Sequence, residues 1–254
     1  MRITILQQDI AWGAPEENCS RAEDIIVDNP GSDLYVLPEM FSTGFATKPK
    51  GIAETNLHSL NWMKRTARTT GAAIAGSVAT EDDGRFYNRF YFVKPDGSVV
   101  KYDKHHLFTY GGEDKEFTAG RERVVVEWKG FRILPEVCYD LRFPVWSRNR
   151  GDYDIIIYVA SWPTPRQGAW DALLRARAIE NQCFVAGVNR VGKDPACEYS
   201  GGSAVIDAYG KTVAACEKGK ECAATADISM EQLQAFRKKF PVLDDADNFS
   251  ISDL

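Results

Sequence analysis

One segment constrains the fold more than any other: Asp154-Ile155-Ile156-Ile157-Tyr158-Val159-Ala160, a continuous apolar run rich in β-branched residues. A strand of that kind must be covered on both faces, so layers are needed above and below its sheet. The rest of the chain offers them. Strand-like runs cover Ile3 to Asp9, Leu34 to Pro38, Ala72 to Thr80, Phe184 to Asn189, Ser203 to Asp207 and Lys211 to Ala215. Helical spacing covers Glu16 to Asp28, Asn56 to Thr70, Ala169 to Asn181 and Met230 to Phe240. Two hairpins are predicted, Phe86 to Val93 with Ser98 to Asp103 across Pro95-Asp96-Gly97, and Val124 to Trp128 with Phe131 to Val137 across Lys129-Gly130. Hairpins mixed with few crossing helices argue against a simple doubly wound parallel sheet. Two mixed sheets with helices on their outer faces satisfy the pattern. No repeat or linker divides residues 1–254, so one domain is expected, with 241–254 as an extended tail.

Composition removes several function classes. The 31 Lys and Arg against 36 Asp and Glu give a net charge of −5, without the basic block a nucleic-acid surface needs. No apolar run approaches the ~20 residues of a membrane span, and the first residues lack the pattern of a signal peptide. The 6 cysteines include no Cys-x-x-Cys pair, which suits free thiols in a reducing cytoplasm, at least five of them inert core residues. Phosphate-loop, serine-elbow and His-Glu-x-x-His patterns all fail. Adjacent His105 and His106 cannot face one way, so no metal is expected.

Three segments carry chemistry. Leu37-Pro38-Glu39-Met40 puts a carboxylate where an apolar strand ends, among apolar flanks that favour burial and a pKa useful to a general base. Lys101-Tyr102-Asp103-Lys104-His105-His106 puts a lysine at the end of a hairpin strand. Val137-Cys138-Tyr139-Asp140-Leu141-Arg142-Phe143-Pro144 puts a cysteine between a strand and a predicted helix, where following N–H groups would stabilise an anion and lower the thiol's pKa.

Together these motifs resemble the nitrilase superfamily of carbon–nitrogen hydrolases, whose signature is a Glu, a Lys and a Cys at strand ends in that order. The resemblance runs from Ile5 to Gly210, and Arg175 to Gln182 is similar to the superfamily's supporting helix. Cys138 to Pro144, Trp146 to Asn149, Ala160-Ser161-Trp162-Pro163 and Phe240 to Asp247 most resemble the bacterial ω-amidase branch. The resemblance implies an α/β four-layer αββα sandwich, a homodimer or larger oligomer, and no cofactor. It implies hydrolysis of the terminal amide of 2-oxo-dicarboxylic monoamides. Cys138 would be the nucleophile, Glu39 the base, and Lys104 with the Tyr139 N–H the oxyanion donors. Glu113 would support Lys104, with Glu116 competing for that place. The loop Thr109-Tyr110-Gly111-Gly112 departs from the superfamily's usual pattern.

The substrate's distal carboxylate needs a cation, and Arg142 and Arg166 are candidates, with Phe45, Tyr139 and Trp162 as an apolar wall. An ordinary helix-surface ion pair explains Arg142 equally well. Three alternatives stay open: an N-carbamoyl amino acid, aliphatic amide or nitrile substrate for the same triad; a Cys–His hydrolase using His105 or His106; and a binding protein that kept the fold.

Overall fold

The computed structural model describes residues 1–251. In chain order the elements are β1 (Arg2–Gln7), α1 (Pro15–Asp28), β2 (Leu34–Val36), α2 (His58–Thr70), β3 (Ala73–Asp82), β4 (Arg85–Val93), β5 (Val99–Asp103), β6 (Val126–Trp128), β7 (Phe131–Val137), α3 (Pro144–Ser147), β8 (Ile155–Ala160), α4 (Gln167–Glu180), β9 (Phe184–Asn189), β10 (Val191–Lys193), β11 (Glu198–Ser200), β12 (Ala204–Ile206), β13 (Thr212–Ala215), β14 (Cys222–Asp227) and α5 (Met230–Lys239).

Two six-stranded sheets form, in the orders β14-β1-β2-β3-β4-β5 and β13-β12-β9-β8-β7-β6. Both are mixed. The β1–β2–β3 and β7–β8–β9 pairs are parallel, and their flanking strands run antiparallel. Ile5, Val36, Ala75 and Phe92 of the first sheet pack into one cluster with Ile133, Ile157 and Val188 of the second. The outer face of the first sheet packs on α1 and α2 through Leu6, Tyr35, Ile26 and Met63. That of the second packs on α4 through Leu134, Ile156, Trp170 and Leu174. The result is the expected helix–sheet–sheet–helix order, and Ile155 to Ala160 are all 0% exposed.

Local signals explain the ends. α1 starts on Pro15 with Glu16 and Glu17 in its first turn, where proline's fixed φ and negative charge both suit a helix N-terminus. Lys129 and Gly130 both have positive φ, 49° and 78°, as a type I′ hairpin turn requires.

Some sequence expectations need correction. α2 begins at His58, not Asn56, after Leu57 in the left-handed region. β6 begins at Val126, not Val124. The strand β14 and the hairpin β10–β11 carry no apolar alternation: Cys-Ala-Ala-Thr-Ala-Asp is a small-residue edge strand that pairs with β1 from far along the chain. The tail is not wholly extended, since Val242–Asp245 makes a 3₁₀ turn; residues 252–254 lie outside the described residues.

Candidate active site

Three strand ends converge between the sheets. After β2, Leu37 N donates to Ala75 O (2.7 Å), and Met40 N and Phe41 N donate to Ser77 Oγ and O (3.0 and 3.2 Å). These bonds fix the turn on β3 and leave Glu39 fully buried. After β5, Lys104 N donates to Asn88 O (3.0 Å), and Lys104 O accepts from Gly120 N (2.9 Å). A Cβ on Gly120 would meet Asp103 O at 2.0 Å, so only glycine permits this approach. After β7, Cys138 opens a 3₁₀ turn, Cys138–Arg142, with φ 47°. A non-glycine residue in the left-handed region costs about 1–3 kcal/mol and marks functional turns.

Asp140 binds that turn to the lysine segment. Its Oδ2 accepts from Val137 N (3.0 Å) and Tyr102 OH (2.8 Å), and its Oδ1 accepts from His106 N (2.9 Å). His106 Nδ1 lies 2.8 Å from the same Oδ1, and its ring stacks on Phe143 at 3.8 Å. His105 Nδ1 lies 2.7 Å from Gly120 O, and its ring stacks on Trp146 at 3.8 Å. Each Nδ1 is occupied and, among the described residues, neither ring nitrogen hydrogen-bonds to Cys138, which counts against the Cys–His reading.

Lys104 Nζ donates to Glu39 Oε1 (3.0 Å) and to Glu113 Oε2 and Oε1 (2.8 and 3.2 Å), with all three side chains fully buried. Glu116 is exposed, so Glu113 alone takes the supporting place. Asn88 Nδ2 donates to Glu39 Oε1 (2.8 Å) and Glu113 Oε1 (3.1 Å), and Ser161 N donates to Glu39 Oε2 (2.8 Å). Phe108 N donates to Glu113 Oε2 (2.7 Å). Sequence reasoning missed Asn88, Ser161 and Asp140. The available signal for Asn88 was an amide inside a strand-like run, ahead of Arg89 and the apolar Phe90-Tyr91-Phe92-Val93.

Burial alone would strip the proton from Lys104, but Glu113 and then Glu39 outweigh it and hold the ammonium above its ordinary pKa. Burial, and next the Glu39 charge, push the Cys138 thiol well above its usual range, against a smaller pull from Lys104. This corrects the expected lowered pKa. The turn after Cys138 is a short 3₁₀ piece rather than a helix with a full dipole, and the nearest carboxylate repels a thiolate. The structure thus places a thiol beside the Glu39 carboxyl group, an arrangement capable of proton transfer.

A cavity of about 430 Å³ opens above Cys138. Its walls include Phe45, Phe108, Tyr139, Trp162, Arg142 and Arg166. Every substrate-binding candidate from the sequence therefore meets in one pocket. The Arg142 guanidinium lies 4.8 Å over Trp162 and that of Arg166 lies 5.3 Å over Phe108. Among the described residues neither makes an ion pair, so Arg142 is not a helix-surface salt bridge. Tyr110 and Gly111 of the departing loop form part of the rim, as do Asp194, Cys197 and Tyr199 from the β10–β11 hairpin. Cys197 and Cys222 are only half-buried, so the expectation of five core cysteines holds for Cys19, Cys183 and Cys216 alone.

The fold and this Glu–Lys–Cys arrangement define a class of hydrolase, and the sequence match agrees: residues 2–238 match the carbon-nitrogen hydrolase family, to which this chain belongs. Its relatives narrow the class. Omega-amidase YafV of Yersinia enterocolitica is 46% identical over 250 residues, covering 98% of each chain. A 2-oxoglutaramate amidase of Bacillus subtilis is 38% identical over 251 residues, covering 96% of each. Among solved structures, a Xanthomonas campestris CN-hydrolase superfamily protein with an arsenic adduct in its active site superposes with a TM-score of 0.96 at 43% identity, covering 99% of both chains. Among the described residues no helix is long and apolar enough to cross a membrane.

Proposed function

We propose that this protein is an ω-amidase that hydrolyses the terminal amide of 2-oxo-dicarboxylic monoamides, such as 2-oxoglutaramate, to the diacid and ammonia. An amide carbonyl is a poor electrophile, so the reaction is divided by a covalent intermediate. Glu39 takes the Cys138 proton as sulfur attacks the carbonyl carbon. Lys104 Nζ and the Tyr139 N–H receive the developing oxyanion; that N–H opens a turn and by position lacks an intrahelical acceptor. The proton passes from Glu39 to the leaving nitrogen, which departs as ammonia. Glu39 then deprotonates a water that attacks the thioester, and the acid leaves with the thiol restored. Glu113 and Asn88 hold Lys104 and Glu39 in register. No metal or organic cofactor enters this scheme.

The observation that carries the substrate assignment is the pair of unpaired guanidiniums, Arg142 and Arg166, in the wall of the cavity above Cys138. A carboxylate held bidentate by one of them would set the distal end of a short diacid monoamide. Lys48 adds a third cation at the rim, while Asp194 Oδ2 is occupied by Tyr199 OH (2.5 Å). The Omega-amidase and 2-oxoglutaramate amidase relatives support the same reading. The protein acts as a cytoplasmic homodimer or larger homo-oligomer on a small-molecule substrate, without nucleic acid or membrane.

Steady-state kinetics of Arg142→Ala and Arg166→Ala on a 2-oxo-dicarboxylic monoamide and on a neutral amide test the assignment. Loss of a buried charge-assisted contact costs about 2–5 kcal/mol, or roughly 30- to several-thousand-fold in kcat/KM, for the charged substrate alone. A charged-to-neutral ratio that moves less than about threefold in both variants removes the carboxylate pocket and favours a carbamoyl or aliphatic amide.

A further inference from the structure

Glu136 lies two residues before Cys138, is fully buried, and takes no part in the reaction scheme. Its Oε2 is 2.8 Å from Ser147 Oγ, at the far end of α3. That contact spans the whole turn carrying Cys138, from the end of β7 to the end of the following helix. Ser147 is in turn held from β8 and the segment before it: Tyr158 OH donates to Ser147 Oγ (2.9 Å), and Tyr153 OH donates to Ser147 O (2.5 Å). Glu136 and Tyr158 are direct neighbours in the β7–β8 register. Cys138 itself sits in left-handed backbone, which persists only where its surroundings over-determine it.

We infer that Glu136 is a positioning residue for Cys138: through Ser147 its carboxyl group closes a clamp across the strained turn and fixes where the sulfur points. The inference rests on Cys138 being the nucleophile. The geometry further assigns the carboxyl group its neutral form. Its Oε1 is buried with no hydrogen-bond partner, and no cation pairs with it among the described residues. An unpartnered oxygen is far less costly on a neutral acid than on a carboxylate. The groups facing it are Asp140 on the turn, Tyr158 and Tyr153 at β8, Tyr102 on β5 and the more distant Arg123. Burial first and the Asp140 charge second favour the protonated acid, against weaker opposition from the Ser147 and Tyr158 hydroxyls and, last, from Arg123. As an acid, Glu136 can donate to Ser147 Oγ and free the serine proton for Phe143 O, 3.4 Å away on the same turn. A charge at Glu136 would instead add to that of Glu39 in opposing a thiolate.

Glu136→Gln and Glu136→Leu separate these roles. Each is assayed for amide turnover, and for alkylation of Cys138 by iodoacetamide between pH 7 and about pH 11, with near-ultraviolet circular dichroism as the check on folding. Leucine should lower kcat and the alkylation rate together by about tenfold or more, with KM within about threefold. Glutamine, which keeps shape and hydrogen bonding without charge, should restore most of both at every pH. A folded leucine variant within about threefold of the parent in kcat overturns the proposal, and so does a glutamine variant as impaired as leucine. If leucine prevents folding, Ser147→Ala removes the other end of the clamp, and unchanged kcat there overturns it equally. If Cys138→Ser retains turnover, the nucleophile assignment has failed and not the clamp.

Discussion

Met40 and Cys138 both hold left-handed backbone without being glycine, at φ 44° and 47°, one beside Glu39 and one at Cys138 itself. Tight turns at two strand ends let side chains from different sheets face one another, and the surrounding hydrogen bonds sustain the strain. Glu39, Lys104 and Cys138 were legible in the sequence because each is a reactive type at the end of a recognisable strand. Asn88, Ser161 and Asp140 were not, because their roles exist only once distant strands meet: Ser161 N reaches Glu39 from 122 positions away. The direction of the thiol's shift was misread for the same reason, since both its burial and the nearness of Glu39 arise only in the folded chain. Cys138→Ser should abolish turnover and leave the fold intact; retention of half the activity would refute the nucleophile. Asn88→Leu should cut kcat about tenfold to a hundredfold, because Glu39 and Glu113 lose the amide that aligns them on Lys104. Because its pKa is raised, the Cys138 thiol stays protonated to higher pH than a free cysteine. Its iodoacetamide alkylation should climb only above about pH 9, and a plateau reached by neutral pH would contradict the resting thiol.

At the scale of elements, the apolar β8 run and the two hairpins were readable because hydrophobic period and turn chemistry are local. The edge strand β14 was not, since small residues carry no period and its partner β1 is at the other end of the chain. The C-terminal helix α5 is anchored in a comparable non-local way. Arg237 Nη1 donates to Asp154 Oδ1 (2.7 Å), its Nη2 to Tyr153 O (2.9 Å) and its Nε to Gln182 O (2.9 Å). Asp154 also accepts from Arg132 Nε and Nη2 (3.0 and 2.9 Å). Burial would raise the Asp154 pKa, but Arg132 and Arg237 together hold it below the ordinary carboxylate value. A depressed folded pKa contributes stability above the unfolded value, lost as pH falls through the folded one. Asp154→Asn should therefore cost about 1.5–3 kcal/mol at neutral pH and flatten the loss of stability below about pH 4. Urea unfolding at pH 7 and about pH 3 checks this; an equal cost at both would contradict the pairing.

At the scale of the whole molecule, exposed apolar side chains gather where α4, the β12–β13 turn and α5 meet. Ile179 is 49% exposed, Tyr209 66% and Phe240 59%, and the Tyr209 ring meets that of Phe236 at 3.9 Å in a tilted contact. A patch of that kind suits a subunit interface. Sedimentation at micromolar concentration should show at least about twice the 28.4 kDa of one chain; a clean single-chain species would contradict the oligomer. The catalytic reading is tested most directly by ammonia release over a panel of 2-oxoglutaramate, 2-oxosuccinamate, glutamine, an N-carbamoyl amino acid and an aliphatic nitrile. The two 2-oxo monoamides should exceed the other three in kcat/KM by about a hundredfold or more, the discrimination that one buried charge-paired contact supplies. A carbamoyl amino acid or nitrile turned over faster than either 2-oxo monoamide would contradict the ω-amidase assignment outright.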